Sequence, residues 1–207
     1  MILLRLNSYK LNRGMSYIEL IVVLSIFAAM TSVVLFNYGD FQAKVDIKNL
    51  ASDIALKGVE AQKLSLAGKL PPPAQQALIS SPLTWKPSYG IYFNQSTDDK
   101  SFIFFTDANQ NELLDDTICA GTGECLDKIL ITRNNRFSRL DVFYQGDSDP
   151  HLLNDLLVIF KRPNAGAIIK SSTSFTSTVS YVQITVVSPK PVSALIKIYP
   201  SGRIQIN

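Results

Sequence analysis

Residues 20–36 carry no charge, and a single acid, Glu19, stands immediately before them. No other feature restricts the fold of this chain as strongly. A run of that length is close to the shortest helix that crosses a bilayer, and residues 15–18 extend it. A carboxylate at the edge of an apolar helix is costly in lipid, which marks Glu19 as a functional position. The simpler reading is a plain membrane anchor in which Glu19 rests near the headgroups.

The flanks argue against a secretory signal peptide, where a small-residue cleavage site closes the apolar stretch. Here Arg5, Lys10 and Arg13 come first, Gly14 lies before the run rather than after it, and Ala28 and Ala29 are followed by Met30. A basic leader of this kind stays cytoplasmic, which places the chain after Phe36 outside.

The order Arg13-Gly14-Met15-Ser16-Tyr17-Ile18-Glu19, followed by the uncharged run, resembles the N-terminus of a type IV prepilin or a type II secretion pseudopilin. The resemblance implies cleavage between Gly14 and Met15, N-methylation of Met15, and a fifth-position role for Glu19 in the mature chain. Met15 stands where the family usually has phenylalanine. The implied partners are other pilin or pseudopilin subunits, a prepilin peptidase and N-methyltransferase, an assembly platform protein with its ATPase, and membrane lipid before assembly. In a filament core an unpaired carboxylate is strongly disfavoured, so Glu19 is expected to pair with the Met15 amine of a neighbouring subunit.

The formal charge of +3 comes from 20 basic and 17 acidic side chains. Losing residues 1–14 removes Arg5, Lys10 and Arg13 and no acid, so the mature chain balances at 17 against 17. That balance gives little support for nucleic-acid binding. From Met15 to Gly68 there is no proline, and Ile47, Leu50, Ile54, Ala61 and Leu64 follow helical steps apart from one seven-residue interval. The predicted helix is about 75 Å long if continuous; the alternative is two helices broken near Gly39. Pro71, Pro72 and Pro73 are expected to end it. The domain plan is a cleaved leader (1–14), an apolar helix (15–38), its amphipathic continuation (39–70) and an exported head domain (71–207).

Residues 74–87 read as a short helical or irregular connection, with Trp85 in the core or docking on the helix. Strands are predicted at 89–93, 101–105, 128–132, 137–144, 156–161, 167–169, 181–187, 194–199 and 203–206, divided by turn-forming residues. Residues 171–180 are hydroxyl-rich and read as an exposed loop. One long helix and seven to nine strands give an α+β fold, with antiparallel sheet packed on the helix. A pilin-like architecture is what the resemblance implies. Within that family the aromatic strand at Tyr89, the acid–x–asparagine loop at Asp107 and Asn109, and the glycine turn at Gly202 are most similar to GspH-like or FimT-like minor subunits.

Asp107, Asn109 and Asn111 alternate as the first three ligands of a calcium loop do, and Leu113 and Asp115 fit the seventh and ninth positions. Glu112 replaces the usual glycine and Ile118 the twelfth-position acid, leaving Asp116 or Glu124 to compensate. The competing reading is a turn whose Asx side chains bond the backbone. Ca²⁺ is the one cofactor this pattern raises. Cys119 and Cys125 are the only cysteines; two glycines between them permit a disulfide, and an outside location permits oxidation. They do not form the Cys-x-x-Cys pattern of a redox site, and His151 is the sole histidine, which leaves a zinc site poorly supplied.

No Gly-x-Ser-x-Gly elbow, His-Glu-x-x-His pair or phosphate loop is present, so a structural subunit is expected rather than an enzyme. His151 reads as an exposed loop residue in a turn-like stretch. Arg133, Arg136 and Arg139 recur at steps of three and are the candidates for nucleic-acid contact, though Asp127 and Asp141 flank them. The expected function is a minor pilin or pseudopilin of a type IV pilus-like filament. The alternatives are a DNA-binding minor pilin and a membrane-anchored binding domain.

Overall fold

The computed structural model describes residues 14–207 apart from 80 and 82. The basic leader with Arg5, Lys10 and Arg13 lies outside the described residues, as do two positions of the 74–87 connection. The chain separates into two compact units, one ending at Phe41 and one covering Gln42–Asn207.

Helix α1 (Tyr17–Leu66) is a single 50-residue element that continues through Gly39. In the first unit every residue from 14 to 36 is exposed, and Phe36 keeps 82% of its surface. The Ser25 hydroxyl donates to Val22 O and the Thr31 hydroxyl to Phe27 O, both at 2.8 Å, so neither asks for a partner outside the helix. α1 is long and apolar enough to cross a membrane.

In the second unit α1 buries Ile47, Ala51, Ile54 and Ala61, while Leu56 on the other side is exposed. Gly58 fills the seven-residue interval between Ile54 and Ala61. It is buried, and a side chain there would strike the Ile204 Cδ1 atom, so the missing apolar residue is a close approach. The three prolines do not end α1. Gly68 does, with φ +68°: Lys69 N donates to Leu64 O and Gly68 N to Ser65 O, both at 3.1 Å, closing the last turn around a left-handed residue. The prolines lead instead into a short helix, α2 (Pro73–Gln76).

Ten strands follow among the described residues: β1 (Ser88–Asn94), β2 (Asp98–Thr106), β3 (Cys125–Leu130), β4 (Arg136–Tyr144), β5 (His151–Leu153), β6 (Asp155–Lys161), β7 (Ala167–Lys170), β8 (Val179–Val187), β9 (Ser193–Ile198) and β10 (Ile204–Ile206). They form two antiparallel five-stranded sheets, ordered β3-β2-β1-β6-β7 and β10-β9-β8-β4-β5. The α+β class holds, but the expected sheet is two sheets, because the chain changes sheet after β5, after β7 and, first, at the corner between β3 and β4. That corner buries Ile131 and Asn135 and holds Arg133 and Asn134 at positive φ.

Alternate residues of both sheets meet α1 in one core: Ile91 and Phe93 of β1, Val158 and Phe160 of β6, Leu140 and Val142 of β4, Val182 and Ile184 of β8. Phe93 meets Phe137 edge-on with centroids 5.7 Å apart, joining the sheets. The first sheet is also apolar on its outer face, where Ile103, Phe105, Leu157 and Ile159 pack with Leu114 and Cys119 of the 107–124 loop. This second covering explains why β2 and β6 read as continuous apolar runs rather than alternating ones.

Candidate functional site

In the first unit Gly14 and Met15 precede α1 and are exposed, and an added Cβ at Gly14 meets nothing within 4 Å. Ser16 O accepts from Leu20 N at 3.1 Å, so the helix starts immediately after it and Glu19 falls in the first turn. There a carboxylate also complements the positive end of the helix dipole, a contribution of about 0.3–1 kcal/mol at an exposed end. Gly14, Met15 and Glu19 thus sit together at one exposed helix end.

In the second unit the 107–125 loop is built around two buried carboxylates. Asp107 is fully buried: its Oδ2 accepts from Glu112 N at 3.2 Å and from the Ser88 hydroxyl at 3.4 Å. Burial raises its pKa above the ordinary carboxylate value, opposed by the Glu112 N–H and the Lys161 charge. Glu124, also buried, accepts from Ala108 N at 2.9 Å and from Asp115 N at 3.3 Å, tying both ends of the loop together. Burial raises its pKa too, and the charges of Asp107 and Asp115 push the same way.

Between these ends the side chains form successive Asx turns. Asn109 Oδ1 accepts from Asn111 N at 3.0 Å, and Asn111 Oδ1 accepts from Leu113 N at 2.8 Å. Asn109 and Asn111 both donate through Nδ2 to the Asp115 carboxylate. Asp116 lies apart from this set and caps Ile118 N at 2.7 Å. Glu112 has φ +59°, the conformation a glycine would take at that position, and two cations hold it there: Lys170 at 2.9 Å and Lys161 at 3.4 Å. The Lys170 bond lowers the Glu112 pKa. Among the described residues no three His, Cys, Asp or Glu side chains form a metal-holding group.

Cys119 and Cys125 are joined as a disulfide, with Cα atoms 5.0 Å apart. The bridge leaves Glu124, one of the two acids the sequence offered to complete the loop, next to a covalent anchor. Trp85 packs with Ile79 and Ala108, and its Nε1 donates to Asp107 O at 3.3 Å. It therefore supports the acidic loop and does not dock on α1.

Arg133, Arg136 and Arg139 each face a carboxylate: Asp46, Asp99 at 3.4 Å and Asp141 at 2.6 Å respectively. Their charges are used locally, and they do not make an uncompensated stripe. His151 is not a loop residue; it opens β5, where its Nε2 lies 2.8 Å from Asp147 Oδ2 and its ring is 4.9 Å from that of Tyr144. The strand was illegible because three residues are too few to display a period. Asp155 receives the Ser171 hydroxyl at 3.1 Å and Ser172 N at 2.9 Å, which pins the hydroxyl-rich segment at its start. A groove of about 480 Å³ runs between this segment, Leu114 and Leu157.

Comparison with family models, with curated proteins and with solved structures finds no match to this chain.

Proposed function

We propose that this chain is a subunit of a type IV pilus-like filament, a minor pilin or pseudopilin, cut after Gly14 and methylated at Met15. The observation that carries the reading is the first unit: an uncharged helical face exposed on every side, preceded by Gly14-Met15 and with Glu19 in its first turn. A helix apolar all round is stable in lipid or packed among other helices, not in water. The same segment serves both conditions, first as a bilayer span and then, released from lipid, as the packing element of a filament. The basic leader keeps its own end cytoplasmic and places the head domain outside. A disulfide in the head suits that compartment.

Assembly follows from charge pairing. Cleavage creates an α-amino cation at Met15, four residues from Glu19. Within a bundle of identical helices the amine of a neighbour pairs with Glu19, which satisfies both charges and fixes the stagger. Peptidase, methyltransferase, platform protein and ATPase are the partners this route requires. The pairing of Arg133, Arg136 and Arg139 with carboxylates does not favour the DNA-binding alternative.

N-terminal mass spectrometry of assembled material tests the proposal. The expected terminus is N-methyl-Met15 followed by Ser16, Tyr17, Ile18 and Glu19. Glu19→Ala should leave cleavage and membrane insertion intact and reduce the subunit in sheared filaments at least tenfold. Assembled chains that begin after Ala28 or Ala29, or that retain the leader, would overturn it.

A further inference from the structure

We propose that the outer face of the first sheet binds a neutral linear oligosaccharide, laid across the strands over Tyr92. The site lies in the head domain and is independent of the filament reading.

Strand register builds the floor. Lys128 pairs with Ile103, Ile103 with Tyr92, Tyr92 with Leu157 and Leu157 with Lys170, so one cross-strand row runs over β3, β2, β1, β6 and β7. Four strand spacings give that row a length of about 19 Å. Phe105 and Ile159 in the neighbouring row are fully buried, whereas Tyr92 is half-buried. The groove of about 480 Å³ lies over Tyr92, Leu157 and Lys170, and a cavity of about 180 Å³ lies over Lys128, Ile103 and Tyr92. Both are lined by Tyr92, which puts its ring at the middle of the row. Asn94 Nδ2 donates to the Tyr92 hydroxyl at 3.0 Å and anchors the ring there.

The walls supply polar groups on both sides. Leu114 and Asp115 form one wall of the larger groove, and residues 171–175 form the other. Asp155 lines the groove beside that second wall. The Ser171 and Ser172 hydroxyls and Ser172 N all donate to its Oδ1, so among the described residues Oδ2 is left to accept from a ligand. A ligand for this groove must present C–H faces to a ring and aliphatic side chains, and hydroxyls to carboxylates and other hydroxyls. Sugars do both.

Charge and direction argue against other occupants. A polyanion would face Asp115 and Asp155, and the lysines at the two ends of the row are already engaged, Lys128 by Asp98 and Lys170 by Glu112, both at 2.9 Å. A peptide that adds as a strand needs a sheet edge, and this groove crosses the strands. A basic peptide is the remaining competitor, because the carboxylates would attract it. The hydroxyl side chains of residues 171–174, however, carry no charge to complement one.

The experiment is calorimetric titration of the full chain, in a detergent without a sugar headgroup, with maltotetraose, cellotetraose and N-acetylchitotetraose, and separately with tetralysine. Saturation-transfer NMR of each sugar repeats the test where heats are small. At least one tetrasaccharide should bind with a Kd below about 1 mM, unchanged between about 50 and 500 mM NaCl. Tyr92→Ala should weaken that binding about tenfold or more and Tyr92→Phe by less than about threefold, because the ring rather than the hydroxyl makes the stacking contact. Asp155→Asn should weaken it several-fold. Absence of both heat and saturation transfer with all three sugars refutes the site. So does salt-sensitive tetralysine binding in their place, or wild-type affinity in Tyr92→Ala. Because the wild-type titration decides by itself, misfolding of a variant does not rescue the idea.

Discussion

Replacing Gly202 by alanine tests how the sheets are fastened to α1. Gly202 has φ +85°, and a Cβ there would overlap Ala165 O and come within 2.5 Å of Gln62 Nε2. Gln62 on α1 donates to Ala165 O at 2.7 Å and leans on Gly202 O at 3.4 Å, so helix, β6–β7 loop and β9–β10 turn meet at this glycine. Three costs add. The left-handed backbone disfavours a side chain by about 1–2 kcal/mol. Overpacking against a main-chain carbonyl adds about 1–3 kcal/mol, because that atom cannot rotate away. Displacing Gln62 loses a hydrogen bond of about 1 kcal/mol. The sum is about 3–6 kcal/mol, a fall in Tm of about 6–24 °C for a chain of this size. Gly146→Ala is the control: φ is +81° but nothing lies within 4 Å of the added Cβ, so only the first cost applies. Thermal unfolding of the full chain in detergent, followed by the single, buried Trp85, measures both variants. Equal losses in the two would refute the reasoning, since backbone strain alone would then explain Gly202.

The Tyr89 hydroxyl donates to Lys69 O at 2.7 Å, and burial pushes its pKa up to about 12 from 10.0. The folded form therefore holds a proton that the unfolded chain releases above pH 10, and stability falls by about 2 kcal/mol as pH rises from 10 to 12. Tyr89→Phe should flatten that slope in alkaline urea titrations while costing about 1 kcal/mol at neutral pH; an unchanged slope rejects the assignment. Reduction of the Cys119–Cys125 bridge should cost about 2 kcal/mol by loop closure. That loss should appear as a lower urea midpoint with reductant, and the Cys119→Ser, Cys125→Ser double variant should show no reductant effect.

Periodicity carried the elements. The apolar run after Glu19, the helical steps at Ile47, Ile54 and Ala61, and the paired segments of β1–β2 and β8–β9 were all legible, because each is set by residues close in sequence. The spacing of Cys119 and Cys125 announced a closure that the fold makes. Ends were less legible: three consecutive prolines look like a stop, yet Gly68 stops α1 earlier because a left-handed residue satisfies the final carbonyls by itself.

The partition into two sheets was decided only in three dimensions. A turn at residues 131–135 has the same composition whether the next strand returns beside β3 or crosses to the other sheet, and here it crosses. The gap in the helical pattern at Gly58 acquires meaning only from Ile204, far along the chain, packing against it. The role of Glu124 belongs to the same class. The sequence left Asp116 and Glu124 both open as the acid that completes the loop, and the fold places the Glu124 carboxylate on Ala108 N and Asp115 N while Asp116 caps Ile118 N. Hydrophobic period and turn chemistry are local and survive in a linear reading. Sheet membership and the partners of a buried charge depend on contacts between distant residues, and those exist only once the chain has packed.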